Sequence, residues 1–177
     1  MYFAIDKGHN LPVNRGASGI EQEDDLTFEL GNILIEELKK SGHQVIDCTP
    51  DKAETISDAL SQRVEKANQA KVDYFVSIHF NAFDGTAHGA EVFHYPGSTR
   101  ARDLADRVLA ELTAIGFRNR GVKSRDSLYV LKKTTMPAIL IEVCFCDSVK
   151  DMEHYRKKGA EEIARRIARG LASAPKP

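Results

Sequence analysis

Short apolar runs alternate along this 177-residue chain with longer segments whose apolar residues recur at helical spacing. A short apolar run is typical of a buried strand, and recurrence every three or four residues is typical of a helix. Strands that alternate with helices favour an α/β fold built on a largely parallel sheet. Because the length suits one domain of ordinary size, the sequence predicts a single α/β domain.

The pattern places each predicted element within a few residues. Apolar runs predict strands over Tyr2–Asp6, Gln44–Ile46, Tyr74–Ile78 and Pro137–Ile141, and a short strand or extended segment over Ser127–Leu131. Residues Gly89–Tyr95 alternate between apolar and polar, which predicts an edge or antiparallel strand. Apolar residues at helical spacing predict helices over Asp24–Lys40, Thr55–Ala70, Thr99–Ile115 and Ala160–Ala172.

The sequence at the two ends of the chain bears on the domain bounds and on where the protein is made. Residues 1–172 are predicted to form the domain, and residues 173–177 a linker-like tail, because proline cannot continue a helix. Such a tail either frays or leads to a second domain beyond Pro177, and we favour the second domain. The first residues have no basic region followed by an apolar one, so we expect synthesis in a cytoplasm without a signal peptide. No run approaches 18 apolar residues, which argues against membrane insertion.

The net charge argues against one class of partner, and the cysteine content argues against a disulfide-rich fold. Lys and Arg total 25 and Asp and Glu 26, for a net charge of −1, so no positive field exists to hold nucleic acid. The three cysteines, Cys48, Cys144 and Cys146, are too few and too uneven for a disulfide framework. We expect them to be small buried hydrophobic residues.

Polar side chains follow the three strongest strand candidates, where each strand ends. His9 follows the first strand, His79 the third and Glu142 the last. Because the carboxyl ends of parallel strands meet at one edge of a sheet, these side chains are expected to converge. Glu23, just before the first helix, can project toward the same edge. Asn81, two positions after His79, either contacts a ligand there or caps the turn after the strand.

Two histidines and a glutamate form a ligand set for catalytic Zn²⁺ that leaves one position open for water. Such an ion acidifies the water and polarises a carbonyl oxygen, and a further carboxylate accepts the proton. On these grounds alone, Glu23 and Glu142 can exchange the roles of ligand and base. The compact His-Glu-x-x-His zinc motif is absent from the sequence.

The motifs themselves resemble those of a known family, the zinc-dependent N-acetylmuramoyl-L-alanine amidases of the amidase-3 type. The resemblance covers almost the whole chain in the right order. Its main segments are Ile5–His9, Arg15–Gly19, Glu23–Leu26, Leu60–Arg63, Ser77–Ala82, Gly89–Phe93, Asn119–Lys123, Leu128–Leu131 and Pro137–Glu142.

The resemblance assigns the roles that the residues left open. It implies that His9, Glu23 and His79 bind zinc and that Glu142 is the catalytic glutamate. The implied reaction hydrolyses the amide between N-acetylmuramic acid and L-alanine in peptidoglycan. The implied fold is a twisted, mostly parallel sheet of about six strands flanked by helices on both faces. The compact size and the tail also resemble the catalytic module of a phage endolysin, which acts on the wall after release.

The chain departs from the family pattern in two places, and two other functions remain open. Residues Asn10–Asn14 stand where the family often has two glycines and an aspartate, and Cys144 stands where glycine is usual. In an extended strand Cys144 shares a face with Glu142. One alternative function is a zinc peptidase that cuts within the stem peptide. The other is a cell-wall-binding module without catalysis.

Overall fold

A computed structural model describes residues 1–176, which form six strands and six helices. The strands are β1 (Tyr2–Lys7), β2 (Gln44–Asp47), β3 (Tyr74–Asn81), β4 (Ala90–His94), β5 (Asn119–Ser124) and β6 (Ala138–Phe145). The helices are α1 (Glu23–Lys40), α2 (Ile56–Ala70), α3 (Thr99–Ala114), α4 (Tyr129–Lys133), α5 (Val149–Lys158) and α6 (Ala160–Ala172). None of the helices within residues 1–176 is both long and apolar enough to cross a bilayer.

The six strands form one sheet in the order β2-β1-β3-β6-β4-β5. Strands β2, β1, β3 and β6 pair in parallel, whereas β4 pairs antiparallel with β6 and parallel with β5. The predicted single-domain α/β fold with a mostly parallel sheet is therefore confirmed. The carboxyl ends of β1, β3 and β6 lie at the same edge of the sheet.

Helices cover both faces of the sheet, because successive strand residues point to opposite sides. From β3, Val76 and Ile78 join the larger core with α1, α3 and α6. Phe75 on the same strand joins the smaller core, to which α2 contributes Val64 and α4 contributes Leu131. A parallel sheet that is covered on both faces requires apolar residues on both sides of its strands.

Strand β4 is antiparallel as predicted, but it is not at the edge, because β5 lies outside it. Strand β5 was missed since its sequence, NRGVKS, has one large apolar residue and is at most half-buried. The prediction of a short strand or extended segment over Ser127–Leu131 is wrong, because helix α4 begins at Tyr129. A short apolar run does not by itself distinguish a strand from a single buried helical turn.

The end of the chain packs against the domain as far as it is described. Ala174 is buried, and the hydroxyl of Tyr74 donates a hydrogen bond of 2.7 Å to the carbonyl oxygen of Pro175. The predicted tail thus begins with residues held on the surface of the fold. Pro177 lies outside the described residues, and a linker to a second domain stays a prediction.

Candidate active site

Three segments far apart in sequence bring His9, Glu23 and His79 together. His9 follows β1, His79 lies near the end of β3, and Glu23 is the first residue of α1. One ligand atom from each of the three residues lies within 4.8 Å of the other two. The imidazole rings of His9 and His79 meet edge to face, with centroids 4.8 Å apart.

The carboxylate of Glu23 is the centre of this group. Its Oε1 lies 3.0 Å from Nδ1 of His79 and 3.4 Å from Nε2 of His9. The backbone N–H of Phe80 donates to the same oxygen at 3.1 Å, and the N–H of Ala17 donates to Oε2 at 2.7 Å. Because Glu23 is only 4% exposed, these bonds fix its position.

Burial and neighbouring charges shift the pKa values of Glu23 and His79 in opposite directions. Burial alone would raise the pKa of Glu23, but hydrogen bonds and charge from His79 and His9 hold that pKa well below its ordinary value. Burial alone would lower the pKa of His79, but the hydrogen bond to Glu23 and the charge of Glu142 raise it overall. Glu23 is therefore an anion at any pH at which the protein functions.

Close packing against the ligand residues requires glycine at positions 8 and 16. A Cβ at Gly8 would overlap the imidazole ring of His79. A Cβ at Gly16 would lie 2.8 Å from the Cβ of Glu23, which is too close for two carbon atoms. The backbone passes so near to both ligands that neither position has room for a side chain.

Glu142 lies beside the ligand group, on the neighbouring strand. In the register of β3 and β6, Glu142 pairs with His79, so the two side chains share a face of the sheet. Its Oε2 is shielded from solvent and has no hydrogen-bond partner among the described residues. Burial raises the pKa of Glu142 to about 7, opposed by the charge of His79 and assisted by Glu23 and Glu91.

A second carboxylate, Glu91, lies on β4 directly opposite Glu142. It is buried, and it accepts hydrogen bonds from Nε of Arg120 at 3.2 Å, from Nζ of Lys123 and from Nδ2 of Asn81 at 3.1 Å. The pairing is visible only once the strand order is known.

The structure gives Asn81 partners within the protein. Its amide donates to Glu91, and its Oδ1 accepts the backbone N–H of Ala82 at 2.9 Å, as in a turn cap. The register between β3 and β6 shifts between His79 and Asn81, which redirects the strand at this point. Contact between Asn81 and substrate stays a prediction.

A buried arginine, which spacing alone gave no reason to select, lies beneath the site. Arg63 on α2 donates to the carboxylate of Asp6 and to the backbone carbonyl oxygens of Lys7 and His9. The hydroxyl of Ser77 donates to the other oxygen of Asp6 at 2.6 Å. Arg63 and Asp6 are each about 1% exposed, so this charge pair links β1, β3 and α2 below the ligands.

A cavity of about 290 Å³ opens beside the ligand group. Its walls include both histidines together with aliphatic and aromatic side chains from α2 and the segment that leads into α4. Residues that border it include His9, Asn14, Leu60, His79, Leu128 and Tyr129. A concave, partly apolar space next to convergent polar groups is the usual form of a ligand pocket.

Comparison with known proteins assigns this chain to a family. The sequence profile of the N-acetylmuramoyl-L-alanine amidase family, amidase-3 type, matches residues 3–173. The chain belongs to this amidase family. Family membership confirms the resemblance found in the sequence.

Relatives of this amidase domain include proteins from bacteria and an endolysin. An uncharacterized protein of Clostridium perfringens (strain 13 / Type A) is 38% identical over 175 residues, which cover 97% of this chain and 51% of that protein. The N-acetylmuramoyl-L-alanine amidase CwlM of Bacillus licheniformis is 37% identical over 180 residues, covering 96% of this chain and 67% of CwlM. The chain spans about half the length of the first of these relatives.

A solved structure matches the amidase domain over nearly its whole length. The catalytic domain of the CD27L endolysin, described as targeting Clostridia difficile, superposes with a TM-score of 0.89 at 30% identity. The match covers 98% of each chain. The α/β architecture described above is therefore that of an amidase catalytic domain.

Proposed function

We propose that this chain is a zinc-dependent N-acetylmuramoyl-L-alanine amidase that hydrolyses peptidoglycan. The bond cleaved is the amide between the lactyl group of N-acetylmuramic acid and the L-alanine of the stem peptide. The single observation that carries the proposal is the convergence of His9, Glu23 and His79, with Glu142 on the adjacent strand. Membership of the amidase family supports the choice of substrate.

The residues present fit a zinc ion. Two imidazoles and one carboxylate are the ligand set of many catalytic zinc sites, and three protein ligands leave a position for substrate or water. Their ligand atoms already lie within 4.8 Å of one another. The hydrogen bonds of Ala17 and Phe80 to Glu23 are the outer contacts that such ligands need to stay in place.

Bound there, zinc would polarise the amide carbonyl and make the attacking water more acidic. The remaining chemistry belongs to Glu142. Its unpaired Oε2 accepts the proton of the water as oxygen attacks the carbonyl carbon. The same carboxyl group then gives that proton to the departing nitrogen of L-alanine, so the carbon–nitrogen bond breaks and Glu142 returns to its anionic form.

The pKa that burial gives Glu142 suits both the acceptance and the return of the proton. A carboxylate whose pKa is raised to about 7 is a stronger base than an exposed one, and its protonated form is still acidic enough to return the proton. Positive charge from a bound metal ion would lower that pKa and keep Glu142 ionised before the reaction.

Mass spectrometry of fragments released from defined peptidoglycan tests the proposal. The amidase releases stem peptides with a free L-alanine amine and leaves intact lactyl groups on the glycan. A zinc peptidase would instead expose an amine further along the stem peptide, and a binding module would release nothing. A chelator should abolish release and added zinc should restore it.

Location and domain partners follow from the same proposal. We infer that the domain acts on the bacterial wall, as an endolysin catalytic module does, and that a C-terminal wall-binding domain follows Pro177. The length of the Clostridium perfringens relative, about twice that of the matched segment, supports an additional region. Binding of the full-length protein to purified walls, compared with that of residues 1–177, tests this inference.

A further inference from the structure

The turn after β1, which carries the ligand His9, has an unusual backbone. His9 has φ 60° and Asn10 has φ 63°, so two consecutive residues other than glycine are left-handed. Side chains with a Cβ rarely adopt this conformation, and it persists where surrounding contacts impose it. The contacts around His9 therefore determine where its imidazole lies.

The backbone of the turn is fixed from two sides. The guanidinium of Arg63 donates to the carbonyl oxygen of His9. The side-chain amide of Asn10 donates to the carbonyl oxygen of Gly8 and to Oγ1 of Thr27, each at 2.8 Å. These bonds hold the Cα of His9 but leave the rotation of its ring undetermined.

The two ring nitrogens of His9 face different partners. Nε2 faces the ligand group, 3.4 Å from Oε1 of Glu23. Nδ1 lies 3.2 Å from Oδ1 of Asn14. An acceptor at Nδ1 holds the proton on that nitrogen, so the lone pair of Nε2 is free to bind a metal.

Asn14 is itself held in place by a short turn. Its backbone N–H donates to the carbonyl oxygen of Leu11 at 2.9 Å, and Leu11 is buried at 3% exposure. The turn is anchored at Leu11, while Val13 between them is exposed. The segment Asn10–Asn14 thus supplies a fixed acceptor for the first histidine.

We propose that Asn14 is a positioning residue for His9, which sets the tautomer and ring orientation that present Nε2 to zinc. This inference rests on the proposed function, because it requires a metal ion at His9, Glu23 and His79. It adds a specific outer contact, which the loop Asn10–Asn14 supplies.

Two variants of nearly equal size test the proposal. Asn14→Asp keeps an oxygen at the position of Oδ1, whereas Asn14→Leu fills the same space without an acceptor. We expect Asn14→Leu to weaken zinc binding about 10- to 100-fold, as loss of an outer contact typically does. Asn14→Asp should bind zinc at least as tightly as the unchanged protein. Val13→Ala, in the same turn, is the control and should leave the zinc Kd unchanged.

Zinc affinity is measured by competition with a chromophoric chelator, which needs no catalytic turnover. The ¹⁵N NMR shifts of the His9 ring, recorded in the zinc-free protein, give a second readout. They should show a proton on Nδ1 in the unchanged protein and in Asn14→Asp, and its loss from Nδ1 in favour of Nε2, which faces the carboxylate of Glu23, in Asn14→Leu. Thermal unfolding of each zinc-free variant shows whether the fold is retained, and Asn14→Ala replaces Asn14→Leu if the latter does not fold.

The outcomes separate this inference from the proposed function. Zinc binding by the unchanged protein together with an unaltered Kd in a folded Asn14→Leu or Asn14→Ala overturns the role of Asn14 alone. Absence of zinc binding by the unchanged protein overturns the metal site and, with it, this inference. Weaker binding in Asn14→Leu with retained binding in Asn14→Asp supports both.

Discussion

Glu142 on β6 lies directly opposite Glu91 on the antiparallel strand β4, yet only one of the two carboxylates is neutralised. Glu91 accepts hydrogen bonds from Arg120 and Lys123, whereas Oε2 of Glu142 has no partner among the described residues. Neighbouring acids in such different surroundings have different functions. We therefore assign Glu91 a structural part in the ion-pair group, and under the proposed function Glu142 exchanges the proton.

Replacement of Glu142 by glutamine should remove the proton acceptor without removing a zinc ligand. We expect amidase activity to fall by about 10²- to 10⁴-fold, the usual contribution of a general base. Zinc content, measured by atomic absorption, should match that of the unchanged protein. A folded, zinc-loaded Glu142→Gln with full activity on purified walls would refute the assignment.

The same variant should stabilise the zinc-free protein above neutral pH. Folding raises the pKa of Glu142 from its ordinary value of 4.5 to about 7, so the folded state binds this proton more tightly than the unfolded state does. The ionised side chain therefore costs stability, increasingly from pH 4.5 to 7 and then constantly. Glu142→Gln should gain up to about 3 kcal/mol at pH 8 and nothing at pH 4. Urea unfolding at the two pH values measures the difference, and an equal effect at both would contradict the raised pKa.

Replacement of Glu91 by glutamine should change both stability and the pH profile. Arg120 and Lys123 lose their shared anion, and we expect a loss of about 1–3 kcal/mol because Lys123 is partly exposed. The negative charge of Glu91 also helps raise the pKa of Glu142, so its removal should lower that pKa. The acidic limb of the pH–activity profile should therefore move to lower pH. Glu54→Gln, at an exposed position, is the control, and an unmoved limb in Glu91→Gln would show that the two carboxylates do not interact.

Removing one member of the buried pair Arg63–Asp6 should destabilise the protein more than replacing both members. Arg63→Met leaves the carboxylate of Asp6 buried without its cation and should cost about 3–5 kcal/mol. The double variant Asp6→Asn/Arg63→Met should recover part of that loss. Urea unfolding of the single and double variants forms a double-mutant cycle, and strictly additive effects would show that the two side chains are not coupled.

The strand ends that carry His9, His79 and Glu142 could be predicted from sequence, because buried parallel strands are apolar on both faces and end abruptly. Convergence of the three followed from the rule that parallel strands share a carboxyl edge. The roles of Glu23 and Glu142 could not be separated in this way. Their assignment came from family resemblance, and the structure brings Glu23 to both histidines.

Other features depend on contacts that spacing does not encode. The pairing of Glu91 with Arg120 requires β4 to lie between β6 and β5, and the polar sequence of β5 gave no sign of a strand. Helix α4 was mistaken for a strand because one helical turn has too few residues to show a period. The contact between Asn14 and His9 depends on the left-handed turn, which neither residue type predicts.

Anomalous diffraction at the zinc edge, from crystals grown with stoichiometric zinc, tests the central claim most directly. One zinc ion should lie about 2.0–2.2 Å from Nε2 of His9, Nδ1 of His79 and a carboxylate oxygen of Glu23, with Glu142 near the ion but not bound to it. Zinc bound elsewhere, or His9 and His79 too far apart to share one ion, would contradict the account.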